Sequence, residues 1–189
     1  MDEFYKRAEE MINKGYAYVC TCESDIIKKN RLDGKECECR LRGVDENLKL
    51  WNSMKSGEIQ PGKAILRLKG DMKSVDFSLR DPSLFRIIFT DKKPFKLWPL
   101  YDFASVVEDH ICGVTHILRS NEFRTSLQDK LRELMNLNKP EVIQFSRYNF
   151  SGTPFSKRKI RALIKDGLIS GWDDIRLPTV SALKRRGIQ

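Results

Sequence analysis

The chain has 189 residues, 40% of them hydrophobic and 32% charged, with ten Phe, five Tyr and three Trp. That apolar content can build a packed core and excludes wholesale disorder, and no run approaches the 18 apolar residues of a membrane-spanning helix. Thirty-five Lys and Arg against 26 Asp and Glu give a net charge of +9, which suits a polyanionic partner, nucleic acid first among them.

Phe4, Ala8, Met11 and Ile12 fall at helical spacing, and Gly15 closes that helix. Its opening, MDEFYKRAEE, is acidic and helix-forming, unlike a secretory leader, so a cytoplasmic location is expected. Residues 16–20 read as a short strand. Residues 20–43 are polar and Cys-rich, with a short helix after Ser24, and 46–55 are expected to be helical, with Leu48 and Trp51 facing the core and Gly57 beyond the end. Strands at 64–69 and 84–90 flank the turn signal Asp81-Pro82.

The character changes at Leu97. A helix over 101–111 is broken by Gly113 and followed by an apolar strand over 114–118, a helix over 122–135 capped by Asn121, and a strand at 142–145. This order suits one half of a parallel α/β sheet. Ser156 caps a basic helix running to Lys165, and Thr179 caps a last one after Pro178. Residues 147–189 hold ten Lys and Arg against three Asp, which is +7 of the total charge. Charge gathered in this way forms a local field for phosphates.

Four of the five cysteines form two pairs, Cys20-Thr21-Cys22 and Cys37-Glu38-Cys39, with 14 residues between them. Two close pairs across a loop suit a structural Zn²⁺ held by four thiolates, which leaves no open position for catalysis. Two disulfides or four free thiols are the alternatives, and the charged, leaderless character of the chain disfavours disulfides. Cys112, alone on an apolar helix, is expected in the core.

The stretch LWPLYDFASVVEDHICGVTHILR, at 97–119, resembles the second half of the nucleotide-binding fold of class I glutamyl- and glutaminyl-tRNA synthetases, most closely the archaeal glutamyl branch. Those enzymes carry Y-P-x-Y-D-F-A, an acidic helix and G-[VI]-T-H-x-[LI]. Phe145-Ser146-Arg147-Tyr148-Asn149-Phe150 is similar to their E-F-S-R-L-N block, and Phe155-Ser156-Lys157-Arg158-Lys159 to their M-S-K-R-K form of the KMSKS loop. Gly171-Trp172-Asp173-Asp174 with Arg176, Pro178 and Thr179 resembles G-W-D-D-P-R-x-P-T, and Arg80-Asp81-Pro82 and Ala17-Tyr18-Val19 also fit. The likeness runs in order along essentially the whole chain.

The resemblance implies an α/β fold: the second half of a Rossmann-like nucleotide-binding fold, an inserted α+β acceptor-stem-binding domain, and a C-terminal helical region around the KMSKS-like loop. The implied layout is a helix of the interrupted fold at 1–18, the insert at 19–96, the second half of the fold at 97–145, and the loop with a tRNA-contact region at 146–189. The implied reaction joins glutamate to ATP, with Mg²⁺, as an adenylate and passes the acyl group to the 3′ end of tRNA-Glu. Lys157, assisted by Lys159, would offset charge developing as pyrophosphate leaves. Phe155, Ser156, Lys157 and Arg158 would bind ATP, with Ser156 and the following amides at a helix start.

By the same resemblance Tyr101, Ser105 and Arg119 surround the amino acid. A guanidinium matches a carboxylate, and the glutaminyl enzymes carry Cys and His where this chain has Arg119 and Ser105, so glutamate is expected rather than glutamine. The tRNA would meet Arg147, Lys184, Arg185 and Arg186, with Arg40, Arg42 and Lys63 as further contacts from the insert. The family's H-I-G-H motif does not occur in the sequence, whose only histidines are His110 and His116. The chain is therefore expected to be a central piece of a longer enzyme, inactive alone. Rival readings are a stand-alone zinc module that binds RNA without catalysis, a glutaminyl-tRNA synthetase fragment, and a paralogue that glutamylates a tRNA base.

Overall fold

A computed structural model describes residues 1–89, 95–146, 152–153 and 156–188. It divides into two compact units, Met1–Gln144 and Phe145–Gln189.

In the first unit, α1 (Asp2–Asn13) buries Ala8, Met11 and Ile12 and ends at Gly15, whose φ of +73° lets Tyr16 N–H reach back to the Met11 carbonyl at 2.8 Å. The chain returns as β1 (Ala17–Cys20), buried at every position, which pairs antiparallel with β2 (Ile65–Leu68), Ala17 opposite Leu68 and Cys20 opposite Ile65. β2 pairs antiparallel with β3 (Ser83–Ile87) through a register shift at Leu66/Arg67, and β3 with β4 (Leu97–Pro99), in the order β1-β2-β3-β4. Between β1 and β2 run α2 (Ser24–Asp33) and α3 (Val44–Ser56), the latter burying Trp51 and Met54 while Leu48 packs partly buried against the core. Gly57 ends α3 at φ +83°.

After β4, α4 (Tyr101–Ile111) and α5 (Ser126–Met135) pack on the same core through Phe103, Val106, Val107, Leu127, Leu131 and Met135. β5 (His116–Ser120) and β6 (Glu141–Phe145) pair with each other in a two-stranded sheet. Phe85 of β3 joins these parts: its ring lies 5.1 Å from Trp51 and 4.9 Å from Phe103, both edge-to-face. One core thus runs through the segments expected as 1–18, 19–96 and 97–145.

Three local expectations need correction. The strand expected at 114–118 starts at His116, because Val114 N–H closes α4 on the Asp109 carbonyl at 2.9 Å around Gly113 at φ +63°. The helix expected from 122 starts at Ser126, and Asn121 does not cap it. Arg124 donates to Asp76 at 3.0 Å and Ser126 Oγ bonds the same carboxylate, which anchors this entry to a distant loop. Cys112, expected in the core, is exposed at the C-cap of α4, past its last buried turn.

The second unit holds α6 (Lys157–Lys165) and α7 (Val180–Arg185) around Ile160, Leu177 and Ala182. Ser156 occupies the N-cap of α6 without a side-chain cap bond, whereas Thr179 caps α7 by accepting from Ala182 N–H at 3.1 Å. The loop between them folds around Asp174, which accepts from Ser170 N–H at 3.0 Å and from Arg176 Nη2 at 2.7 Å. Arg176 and these amides hold its carboxyl well below the usual range. Among the described residues no helix is long and apolar enough to cross a membrane.

Trp51 also donates from Nε1 to Glu9 at 2.9 Å. Trp51→Ala should therefore cost about 3–5 kcal/mol of unfolding free energy in urea denaturation. A loss under about 1 kcal/mol would contradict this account of the core.

Candidate functional site

Tyr101 and Ser105 lie one turn apart on α4, Tyr101 exposed with its ring 6.1 Å from Phe123 and Ser105 half-buried. Arg119 lies on β5. A fully buried side chain on α5 joins the two elements: Gln128 accepts from Arg119 Nη2 at 2.7 Å and donates to Asp102 Oδ1 at 3.0 Å. Because Asp102 can only accept, it fixes which end of the amide faces Arg119. The Arg119 guanidinium therefore meets a neutral oxygen, and its Nε and Nη1 are buried with no hydrogen-bond partner among the described residues. Arg132, one turn along α5, also keeps buried Nε and Nη1 groups without a hydrogen bond but has a carboxylate, Asp109 at 2.7 Å, to match its charge. A cation with unused buried donors and no such match is a receptor for an anion.

Sequence reasoning missed Gln128. Its signal was a polar residue within the apolar stripe Leu127, Leu131 and Met135 of α5, where an uncharged amide needs a buried partner.

The four paired cysteines come together at the far end of β1. Cys20 ends the strand, Cys22 precedes α2, Cys37 follows it, and Cys39 sits in a 3₁₀ turn at Glu38–Leu41. All four sulfurs lie within 4.8 Å of one another, with Cys20–Cys37 at 3.9 Å and Cys22–Cys39 at 3.7 Å. Sulfurs around a tetrahedral zinc, with bonds near 2.3 Å, stand about 3.8 Å apart, so this quartet fits such an ion. The thiols are free, which removes the disulfide alternative. Hydrogen bonding with Cys20 draws Cys37 down to about 4 and pushes Cys20 up, and burial raises Cys22 to about 11. Against burial, the Thr21 backbone N–H and hydroxyl bring Cys39 down.

Arg40 and Arg42, expected as RNA contacts, are used by the fold. Arg40 bonds Asp81 and the Gly70 carbonyl, and Arg42 holds the Val19 carbonyl at 3.0 Å and Thr21 at 3.1 Å. Lys63 is exposed beside Glu23.

In the second unit Lys157, Arg158 and Lys159 are exposed on the first turn of α6, a basic helix start. Of the expected tRNA contacts, Lys184 is exposed, Arg185 pairs with Asp173 at 2.9 Å, and Arg186 reaches the Leu177 carbonyl at 3.3 Å. Arg147 and Phe155 lie outside the described residues.

The family described as tRNA synthetases class I (E and Q), catalytic domain, matches residues 1–189. The chain is 46% identical to a glutamate–tRNA ligase of Nitrosopumilus maritimus, over all of this chain and 34% of that protein. It is 41% identical to a glutamine–tRNA ligase of Clostridium perfringens, over 98% of this chain and 36% of that protein. The chain thus spans about a third of the length of these relatives. A crystal structure of a glutamate tRNA ligase from Elizabethkingia meningosepticum in complex with its amino acid shares the fold, with a TM-score of 0.53 at 21% identity, over 84% of this chain and 36% of that one. With a match along its whole length and a shared mixed α/β fold, the chain belongs to the catalytic domain of the class I glutamyl- and glutaminyl-tRNA synthetases.

Proposed function

We propose that the chain supplies the amino-acid-selecting part of a glutamate–tRNA ligase, which joins glutamate to ATP as an adenylate and transfers it to the 3′ end of tRNA-Glu. The observation that carries this reading is the charge of Arg119, met among the described residues by the neutral Gln128 amide and by no carboxylate. A substrate carboxylate completes that pairing, whereas a substrate amide leaves the charge unmatched. Relatives of both specificities resemble the chain, so overall identity does not decide between them, and Arg119 is what favours glutamate. Tyr101 and Ser105 border the same substrate from α4.

Lys157, with Lys159 beside it, neutralises charge as the bond between the α-phosphate and pyrophosphate breaks. Ser156, Arg158 and the main chain of Phe155 hold ATP, which arrives with Mg²⁺. Arg147, Lys184, Arg185 and Arg186 face tRNA, and the insert at 19–96 packs on the acceptor stem, in a cytoplasmic enzyme. Residues 1–18 and 97–145 belong to the nucleotide-binding fold, and 146–189 to the loop and tRNA-contact region. Cys20, Cys22, Cys37 and Cys39 hold a structural Zn²⁺, which ties β1 to the 3₁₀ turn.

A chimaera tests the activity, with these 189 residues replacing the matching third of the Nitrosopumilus maritimus ligase. It should exchange pyrophosphate into ATP with glutamate, and Arg119→Cys should cut glutamate kcat/KM by roughly a hundredfold or more. Exchange with glutamine in preference to glutamate, or indifference to Arg119→Cys, contradicts the reading. For the metal, elemental analysis should find one zinc per chain. Its removal by a chelator should lower the melting temperature, and an unchanged melting curve would remove the cysteines from the site.

A further inference from the structure

Arg67 on β2 is 1% exposed, among the largest fully buried side chains of the molecule. Its Nε donates to the Asp81 carbonyl at 2.8 Å, and Nη1 points at sulfur, 3.8 Å from Cys20 Sγ and 4.0 Å from Cys37 Sγ. Its Nη2 is buried with no hydrogen-bond partner among the described residues. The neighbouring carboxylate of Asp81 is spent elsewhere: it accepts from Tyr18 Oη at 2.8 Å, from Gly70 N–H at 2.8 Å and from Arg40. The buried charge of Arg67 therefore faces the cysteine quartet.

A guanidinium taken out of water needs a full anionic partner, and Arg67, 3.8 Å and 4.0 Å from two sulfurs, has no carboxylate of its own among the described residues. Four thiolates around a divalent ion carry a net charge of 2−. We propose that Arg67 is the buried counter-cation of the metal-bound tetrathiolate, and that metal binding and ordering of the Asp81 turn are one coupled event. This rests on the reading of the quartet as a metal site.

The turn requires such support. Asp81 sits at φ +42°, a left-handed conformation unfavourable to a side chain. Gly70 packs so closely against it that an added Cβ would stand 2.0 Å from the Leu79 carbonyl oxygen. Arg67 bridges the two: one edge holds the carbonyl of the strained residue, the other faces the sulfurs. Outer groups that hydrogen-bond metal ligands commonly set affinity by roughly 10–100-fold.

The test is cobalt(II) and zinc titration of the full chain. Wild type should bind cobalt with the sulfur-to-metal charge-transfer absorption of four thiolates. Arg67→Met should retain that spectrum but bind roughly 10–100-fold more weakly, with Arg67→Lys recovering part of the loss. In wild type, zinc should slow hydrogen exchange of the Gly70 amide, which decides the matter even where Arg67→Met does not fold. Binding by Arg67→Met within about twofold of wild type, or Gly70 exchange indifferent to zinc, overturns the role of Arg67 while leaving the metal site standing. A wild-type chain that takes up neither metal overturns both.

Discussion

A buried guanidinium must be matched by an anion, and that requirement organises both sites of the first unit. Arg132 is matched inside the protein, by Asp109 at 2.7 Å. Arg119 and Arg67 have no carboxylate partner among the described residues: one meets the Gln128 amide, the other the sulfurs of the cysteine quartet. Leaving a buried donor unsatisfied costs about 1–3 kcal/mol, more for a charged group, and Arg119 and Arg67 bear that cost without the carboxylate that Arg132 has. In both places the account assigns the missing anion to something the protein binds, a substrate carboxylate at Arg119 and a metal-bound tetrathiolate at Arg67.

These two places are joined by one sheet. Phe85 packs on Trp51 of α3 and on Phe103 of α4, so the helix carrying Tyr101 and Ser105 rests on the same sheet that carries Arg67 and Cys20. Asp76 strengthens the link, reaching from the loop after β2 to Ser126 and Arg124 at the start of α5, the helix of Gln128. Residues between β1 and β4 are thereby part of the framework that holds α4 and α5, and the Trp51 cluster bears on the position of α4. The second unit is organised on its own terms, its loop folded around the buried carboxylate of Asp174.

Periodicity and turn chemistry made much of this legible before any coordinates. The helix at 101–111 has the bounds its pattern indicates, because Phe103, Val106 and Val107 form one stripe and Gly113 can end it. The cysteine pairs converge as their spacing suggests. What the pattern could not show was tertiary. A polar residue in an apolar stripe, such as Gln128, gives no hint of the partner it will find. Arg67 alternates within an apolar strand and reads as an exposed position, yet it is buried because the quartet and the Asp81 turn lie on its side of the sheet. Asn121 is a good cap in isolation and was displaced by the hold of Asp76 on the following turn.

The most direct test of the charge-matching account is the glutamate kcat/KM of Gln128→Glu, set beside Gln128→Leu, in the same chimaeric enzyme. With Asp102→Asn made alongside in both variants so that position 102 can donate to a carboxylate at 128, Gln128→Glu would match Arg119 from within the protein and remove its need for a substrate carboxylate, and should be the more damaging of the two by roughly tenfold or more. Gln128→Glu that selects and activates glutamate as well as the unchanged protein would contradict the account.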